Sequence, residues 1–207
     1  MPFSAQIQGL LADYRDRPLP LGVLLHRSGE QGFGLLSTVL TLPFLIFIPP
    51  GLSTMVALVV AMLGWQMGMG RREPWLPPRY ARLELSPQVL HGVLKNLTRL
   101  LHPLERILRP RWFACSRHPL VRRGIGFSIA WCALLLAIPV PPVIPLTNII
   151  PTVAIVTMAL AVMEEDGLVM ILGLAMAVGT TIYFALMAGL IVAAFATLWQ
   201  RLISRTP

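Results

Sequence analysis

The stretch GFGLLSTVLTLPFLIFIPPGLSTMVALVVAMLGWQMGMGRR, residues 32–72, decides the fold class. It carries no charged side chain before Arg71 and Arg72, and Pro49-Pro50-Gly51 cuts it into two apolar halves, Phe33 to Ile48 and Leu52 to Met69. At about 1.5 Å of rise per helical residue the halves reach about 24 and 27 Å, close to a hydrocarbon core of about 30 Å. Pro43 removes a further backbone hydrogen bond inside the first half. The stretch reads as a helix, a proline turn and a second helix.

Two more apolar stretches follow, 125–163 and 168–199, and the whole chain of 207 residues is 56% hydrophobic and 13% charged, with a mean hydropathy of +0.72. Soluble domains hold about 45–50% apolar residues, so a water-soluble core cannot absorb this surface. The expected fold is all-α: one polytopic membrane domain over 1–207 with about four to six apolar segments. Its parts are a cytoplasmic amphipathic N-terminal segment (1–31), a first hairpin repeat (32–72), a basic amphipathic cytoplasmic segment (73–123), a second hairpin repeat (124–167) and one or two C-terminal membrane helices (168–207).

The net charge is +8. Lys and Arg number 3 before residue 30, 12 between 71 and 123, and 2 after residue 200. That distribution follows the positive-inside bias and removes the need for nucleic acid as a partner. It places the N-terminus and the central segment in the cytoplasm. Arg201 and Arg205 favour a cytoplasmic C-terminus and hence an even number of passages. The N-terminus, with Asp13 and Asp16, lacks the basic and apolar regions of a signal peptide. Residues 4–16 have the spacing of a short amphipathic helix, and a second one covers 21–27.

In the central segment, Ser86-Pro87 suits a helix start, and leucines and valines recur at helical spacing from Val89 to Leu108. Lys95, Arg99 and Arg106 lie on its more polar side. With Arg71 and Arg72 they are the expected contacts to anionic lipid headgroups or to a partner.

The second hairpin repeats the landmarks of the first. Gly32-Phe33-Gly34 stands beside Gly124-Ile125-Gly126 and Pro49-Pro50 beside Pro141-Pro142, all displaced by 92 residues. After VIPLT (143–147) the match resumes displaced by 97, so that residues 51–70 stand beside 148–167. Repeated, interrupted helices are a pattern of transporter architecture. Each hairpin either crosses the bilayer, with its turn at the far interface, or is re-entrant, with the turn buried in protein or lining an aqueous cavity. In the re-entrant case Pro49, Pro50, Gly51, Ser53, Thr54, Pro141, Pro142, Asn148 and Pro151 line a substrate or ion pathway.

Glu164, Glu165 and Asp166 form the acidic cluster. They are candidates for proton or cation coupling, because carboxylates at an apolar boundary exchange protons readily. The alternatives are a solvated turn or a salt bridge to Arg71, Arg72, Arg122 or Arg123. Gln66, Thr152, Thr180 and Thr181 fit helix packing, and Trp65, Trp75, Tyr80, Trp112, Trp131 and Trp199 fit interfacial anchoring. Cys115 and Cys132 match no disulfide or metal pattern, and His26, His91, His102 and His118 have no ligand spacing, so neither metal nor cofactor is expected. There is no nucleophile elbow and no phosphate loop. No residue is assigned a catalytic role, and an interfacial enzyme acting on a lipid-linked sugar lacks a candidate acid or base.

EQGFGLL at 30–36, PPGLST at 49–54, GRREPWLP at 70–77 and IPTVAI at 150–155, followed by an acidic-Gly close at Gly167, resemble the ExoD exopolysaccharide-synthesis family of bacterial membrane proteins. The resemblance covers about residues 20–195. It implies a bacterial inner-membrane protein associated with exopolysaccharide production, and the reading built on it is a non-enzymatic scaffold or transport component that supports synthesis or export, with polysaccharide-synthesis proteins as partners; the small size of the domain adds further copies of itself as partners. It transfers no catalytic residue. The residues themselves leave a small cation or proton exchanger as the alternative.

Overall fold

The computed structural model describes residues 19–20, 29–45, 52–75, 84–85, 118–138 and 146–203. Several expectations lie outside them: the amphipathic helices at 4–16 and 21–27, Pro49, Pro50, Gly51, Pro141, Pro142, and the central segment with Lys95, Arg99, Arg106 and Cys115. Five helices make the body: α1 (Gln31–Thr41), α2 (Leu52–Gly68), α3 (Pro119–Ala137), α4 (Ile149–Glu164) and α5 (Gly167–Ile203). The remaining regular structure among the described residues is a 3-10 turn (Leu42–Leu45) after α1 and a two-residue antiparallel pairing of Leu19–Pro20 (β1) with Glu84–Leu85 (β2).

Helix boundaries follow local chemistry. α1 stops at Thr41 because Pro43 cannot donate to the next turn, and the chain tightens into the 3-10 turn that contains it. α3 starts at Pro119, a proline at the first helical position, with His118 Nδ1 accepting from the Leu120 amide at 3.3 Å. It therefore begins five residues before Gly124 and carries Arg122 and Arg123 in its opening turns.

The starts of α1 and α3 and the ends of α2 and α4 gather on one side. The Gln31 amide donates to the Met163 carbonyl at 3.1 Å, joining the start of α1 to the end of α4. The start of α3 and the end of α2 meet at the same cavity. At the opposite side Thr54 Oγ1 donates to the Ala137 carbonyl at 3.1 Å, joining the start of α2 to the end of α3.

Small residues set the closest contact. A Cβ on Gly126 would lie 2.4 Å from the Gly68 nitrogen, and one on Gly64 would lie 2.6 Å from the Ala130 nitrogen. Gly64 and Gly68 on α2 thus interlock with Gly126 and Ala130 on α3, each pair four residues apart, the small-xxx-small pattern of close helix pairing. Gly34 plays the same part between α1 and α4, where an added Cβ would meet the Ala159 oxygen at 2.6 Å. Phe33, Leu63, Ile125, Ile129, Leu136, Ile155 and Met158 fill the core between these contacts.

α5 is continuous through Gly179-Thr180-Thr181, the one expected interruption. Thr180 and Thr181 instead return their hydroxyls to the Met176 and Ala177 carbonyls at 2.8 and 2.9 Å. The helix packs on α3 and α4 through Val169, Met170 and Ala177 and is mostly exposed beyond Thr180. Trp131 on α3 donates to Thr181 at 3.0 Å, so this tryptophan ties two helices together. From that level α5 runs about 24 Å past the end of α3. A single uninterrupted α5 carries the chain to Ile203, at the end of the body opposite Arg71 and Arg72.

Two segments, Pro119–Ala137 and Gly167–Thr197, are long and apolar enough to cross a membrane, with mean hydropathies of 1.5 and 2.1. α2 and α4 are shorter apolar helices of 17 and 16 residues.

Candidate functional site

The polar residues of the body gather at the end where α1 and α3 begin. There α2 closes on Gly70, whose φ of +83° is left-handed backbone suited to glycine. The Gly70 amide donates to the Met67 carbonyl at 2.9 Å and the Arg71 amide to the Gln66 carbonyl at 3.2 Å, a Schellman closure. Gln66, buried at 5% exposure, then grips the departing chain twice. Its Oε1 accepts from the Trp75 amide at 2.7 Å and its Nε2 donates to the Trp75 carbonyl at 3.2 Å. This clamp fixes the segment that presents Arg71 and Arg72 to solvent.

From the opening turns of α3, Arg122 and Arg123 reach the same place. The Arg122 guanidinium donates through Nη1 to Glu30 Oε2, while its Nε is buried without a hydrogen-bond partner. Arg123 lies over Gly70, with Nε and Nη2 each 3.0 Å from where a Cβ would stand. Glu30, Arg71, Arg72, Arg122 and Arg123 line a cavity of about 240 Å³. Its chemistry is donors and positive charge, with a single carboxylate engaged by Arg122.

The acidic cluster is a turn between α4 and α5. Glu165 takes left-handed backbone at φ 53°, and the Asp166 amide donates to the Ala161 carbonyl at 3.1 Å. Asp166 is a buried helix cap and not a solvated side chain. Its Oδ1 accepts from the Leu168 and Val169 amides at 2.9 and 3.4 Å, at 1% exposure.

The pathway candidates that fall among the described residues stand at the far end. Thr54 bonds Ala137, Asn148 precedes α4 without a side-chain cap bond, and Pro151 is buried in the first turn of α4. Ser53 falls within the first turn of α2. The 16 residues of α4, about 24 Å of helix, separate these positions from Glu164, Glu165 and Asp166. Arg71 and Arg72 stand at the same end of the body as the acidic turn, and Arg122 pairs with Glu30.

Sequence reasoning missed Glu30 and the joint placement of Arg122 and Arg123 with Arg71 and Arg72, and it gave Gln66 to helix packing where the side chain instead holds the Trp75 backbone. The doubled Arg-Arg pairs, 71–72 and 122–123, were the available signal.

A protein-family profile described as "Exopolysaccharide synthesis, ExoD" matches residues 3–186. Protein ExoD of Rhizobium meliloti is 35% identical over 185 residues, covering 89% of this chain and 76% of that protein. An uncharacterized protein of Synechocystis sp. is 28% identical over 171 residues, covering 80% of this chain and 79% of its own length. No solved structure matches the chain.

Proposed function

The chain belongs to the ExoD family, which implies involvement in exopolysaccharide synthesis, and from that premise we propose a non-enzymatic component of the bacterial inner membrane that supports the synthesis or export of the polymer. One observation carries the membrane part: the apolar surface left uncovered. Leu58, Val178, Leu186, Leu190 and Val192 are 51, 60, 63, 61 and 68% exposed. So many exposed large apolar side chains are unfavourable in water, and lipid covers them. Both hairpins cross the bilayer in this reading, with their proline turns outside and the arginine end in the cytoplasm beside the basic central segment. Lys95, Arg99 and Arg106 then meet anionic headgroups or an assembly partner.

Extraction and deletion test it together. The chain is expected to stay in inner membranes washed with alkaline carbonate, and its loss is expected to lower exopolysaccharide yield in the host. Release by carbonate, or an unchanged yield, overturns the proposal.

A second reading, a small secondary transporter for cations or protons, is favoured by one relationship. Gly34 and Gly126 differ by the 92-residue displacement of the repeat, and each is the close-approach point of its own helix on a helix of the other hairpin. That placement supports two hairpins arranged about a common axis, as in transporters built from parallel repeats. Ion flux into proteoliposomes separates the readings. Flux lost in the E164Q/E165Q/D166N variant favours the transporter, and flux that is absent or unaffected excludes coupling through the acidic turn.

A further inference from the structure

Among the described residues, the arginine end gathers positive charge around one small space. Four guanidinium groups line one cavity with a single carboxylate, Glu30. Guanidinium stays protonated at every physiological pH, and like charges gathered around one small space raise each other's energy unless an anion joins them. The start of α3 adds to this, because arginines in an opening turn face the positive end of the helix dipole and this first turn contains no acidic residue.

Arg122 sharpens the argument. Glu30 occupies its Nη1, yet its Nε is buried without an acceptor, and a buried unsatisfied donor is costly. Arg71 and Arg72 are held at the rim by the Gln66 clamp on Trp75, and Arg123 is held against Gly70. Planar guanidinium forks bind tetrahedral oxyanions through paired hydrogen bonds, which an ammonium cannot reproduce. The cavity of about 240 Å³ falls below the roughly 300–1,000 Å³ of pockets for drug-sized molecules and has the scale of a headgroup.

We propose that this pocket binds a phosphate or pyrophosphate group between the two arginine pairs, with Glu30 holding Arg122 in place until the anion displaces it. The inference goes beyond the role in polysaccharide synthesis and stands or falls separately from it.

The test uses the full chain in nanodiscs of zwitterionic lipid, with inorganic pyrophosphate titrated in one arm and phosphatidic acid included in the bilayer in the other. Saturable pyrophosphate binding assigns a soluble phosphate ester, and binding confined to phosphatidic acid assigns a lipid headgroup; either supports the proposal. R122Q and R72Q are each expected to weaken binding about tenfold, the loss of a hydrogen bond to a charged group. R72Q alters an exposed side chain and remains informative if R122Q does not fold. E30Q removes the competing carboxylate and is expected to tighten binding, whereas R201Q, at the other end of α5, is expected to change nothing. Absence of binding in both arms, weaker binding in E30Q, or an equal loss in R201Q overturns the proposal.

Discussion

Arg122 donates to Glu30 across the arginine end of the helix body, and the two residues are 92 positions apart. That interval is also the displacement between Gly34 and Gly126. The Arg122 and Glu30 side chains are 19 and 38% exposed, which places the pair between the surface and the buried regime.

A double-mutant cycle on E30Q and R122Q in detergent is expected to give a coupling of about 0.5–1 kcal/mol, the upper part of the range for partly exposed pairs. A coupling near zero would show that the two groups fold independently.

Alanine at Gly126 and at Gly124 should act in opposite directions. A Cβ at Gly124 meets nothing within 4 Å, so G124A gains helix propensity, about 0.5–1 kcal/mol. A Cβ at Gly126 meets the Gly68 backbone, which cannot swing aside, so G126A is expected to cost about 1–3 kcal/mol through overpacking. Thermal unfolding of both variants in one detergent checks the sign.

D166A is expected to destabilise the chain by about 1 kcal/mol through loss of the cap on α5, and D166N by less, because asparagine caps nearly as well. Equal losses in the two would show that the charge of Asp166, and not its acceptor oxygen, supports the turn.

Q66L removes both hydrogen bonds to Trp75 while leaving an apolar side chain in α2. Trypsin is expected to cut after Arg71 and Arg72 faster in Q66L than in the parent chain, with a smaller change at other arginines. Unchanged cleavage would mean that Schellman closure at Gly70 alone holds the segment.

The fold was legible where hydrophobicity and proline decide it. The apolar run from Leu52 to Met69 became α2, ending at Gly68, and Pro43 ended α1. The continuity of α5 was open in the sequence, since Gly179-Thr180-Thr181 breaks or bends a helix unless the threonines satisfy their hydroxyls on the preceding turn, as they do here. The interlock of Gly64 and Gly68 with Gly126 and Ala130 was not read from the sequence, because which helices small residues join depends on the tertiary arrangement. The site was less legible still. Arg122 and Arg123 looked like the tail of a basic segment because the start of α3 at Pro119 lies ahead of the apolar run. Asp166 looked like part of a charged turn because capping is a matter of backbone direction, which composition does not report.

The central claim is that the two hairpins cross a membrane with the arginine end inside, and cysteine accessibility tests it most directly. In a chain freed of Cys115 and Cys132, single substitutions Gly51→Cys, Asn148→Cys and Arg72→Cys are exposed in intact cells to a membrane-impermeant maleimide. The account predicts labelling of the first two from outside and of the third only after the cells are permeabilised. Labelling of Asn148→Cys that requires permeabilisation, or labelling of Arg72→Cys in intact cells, would contradict it.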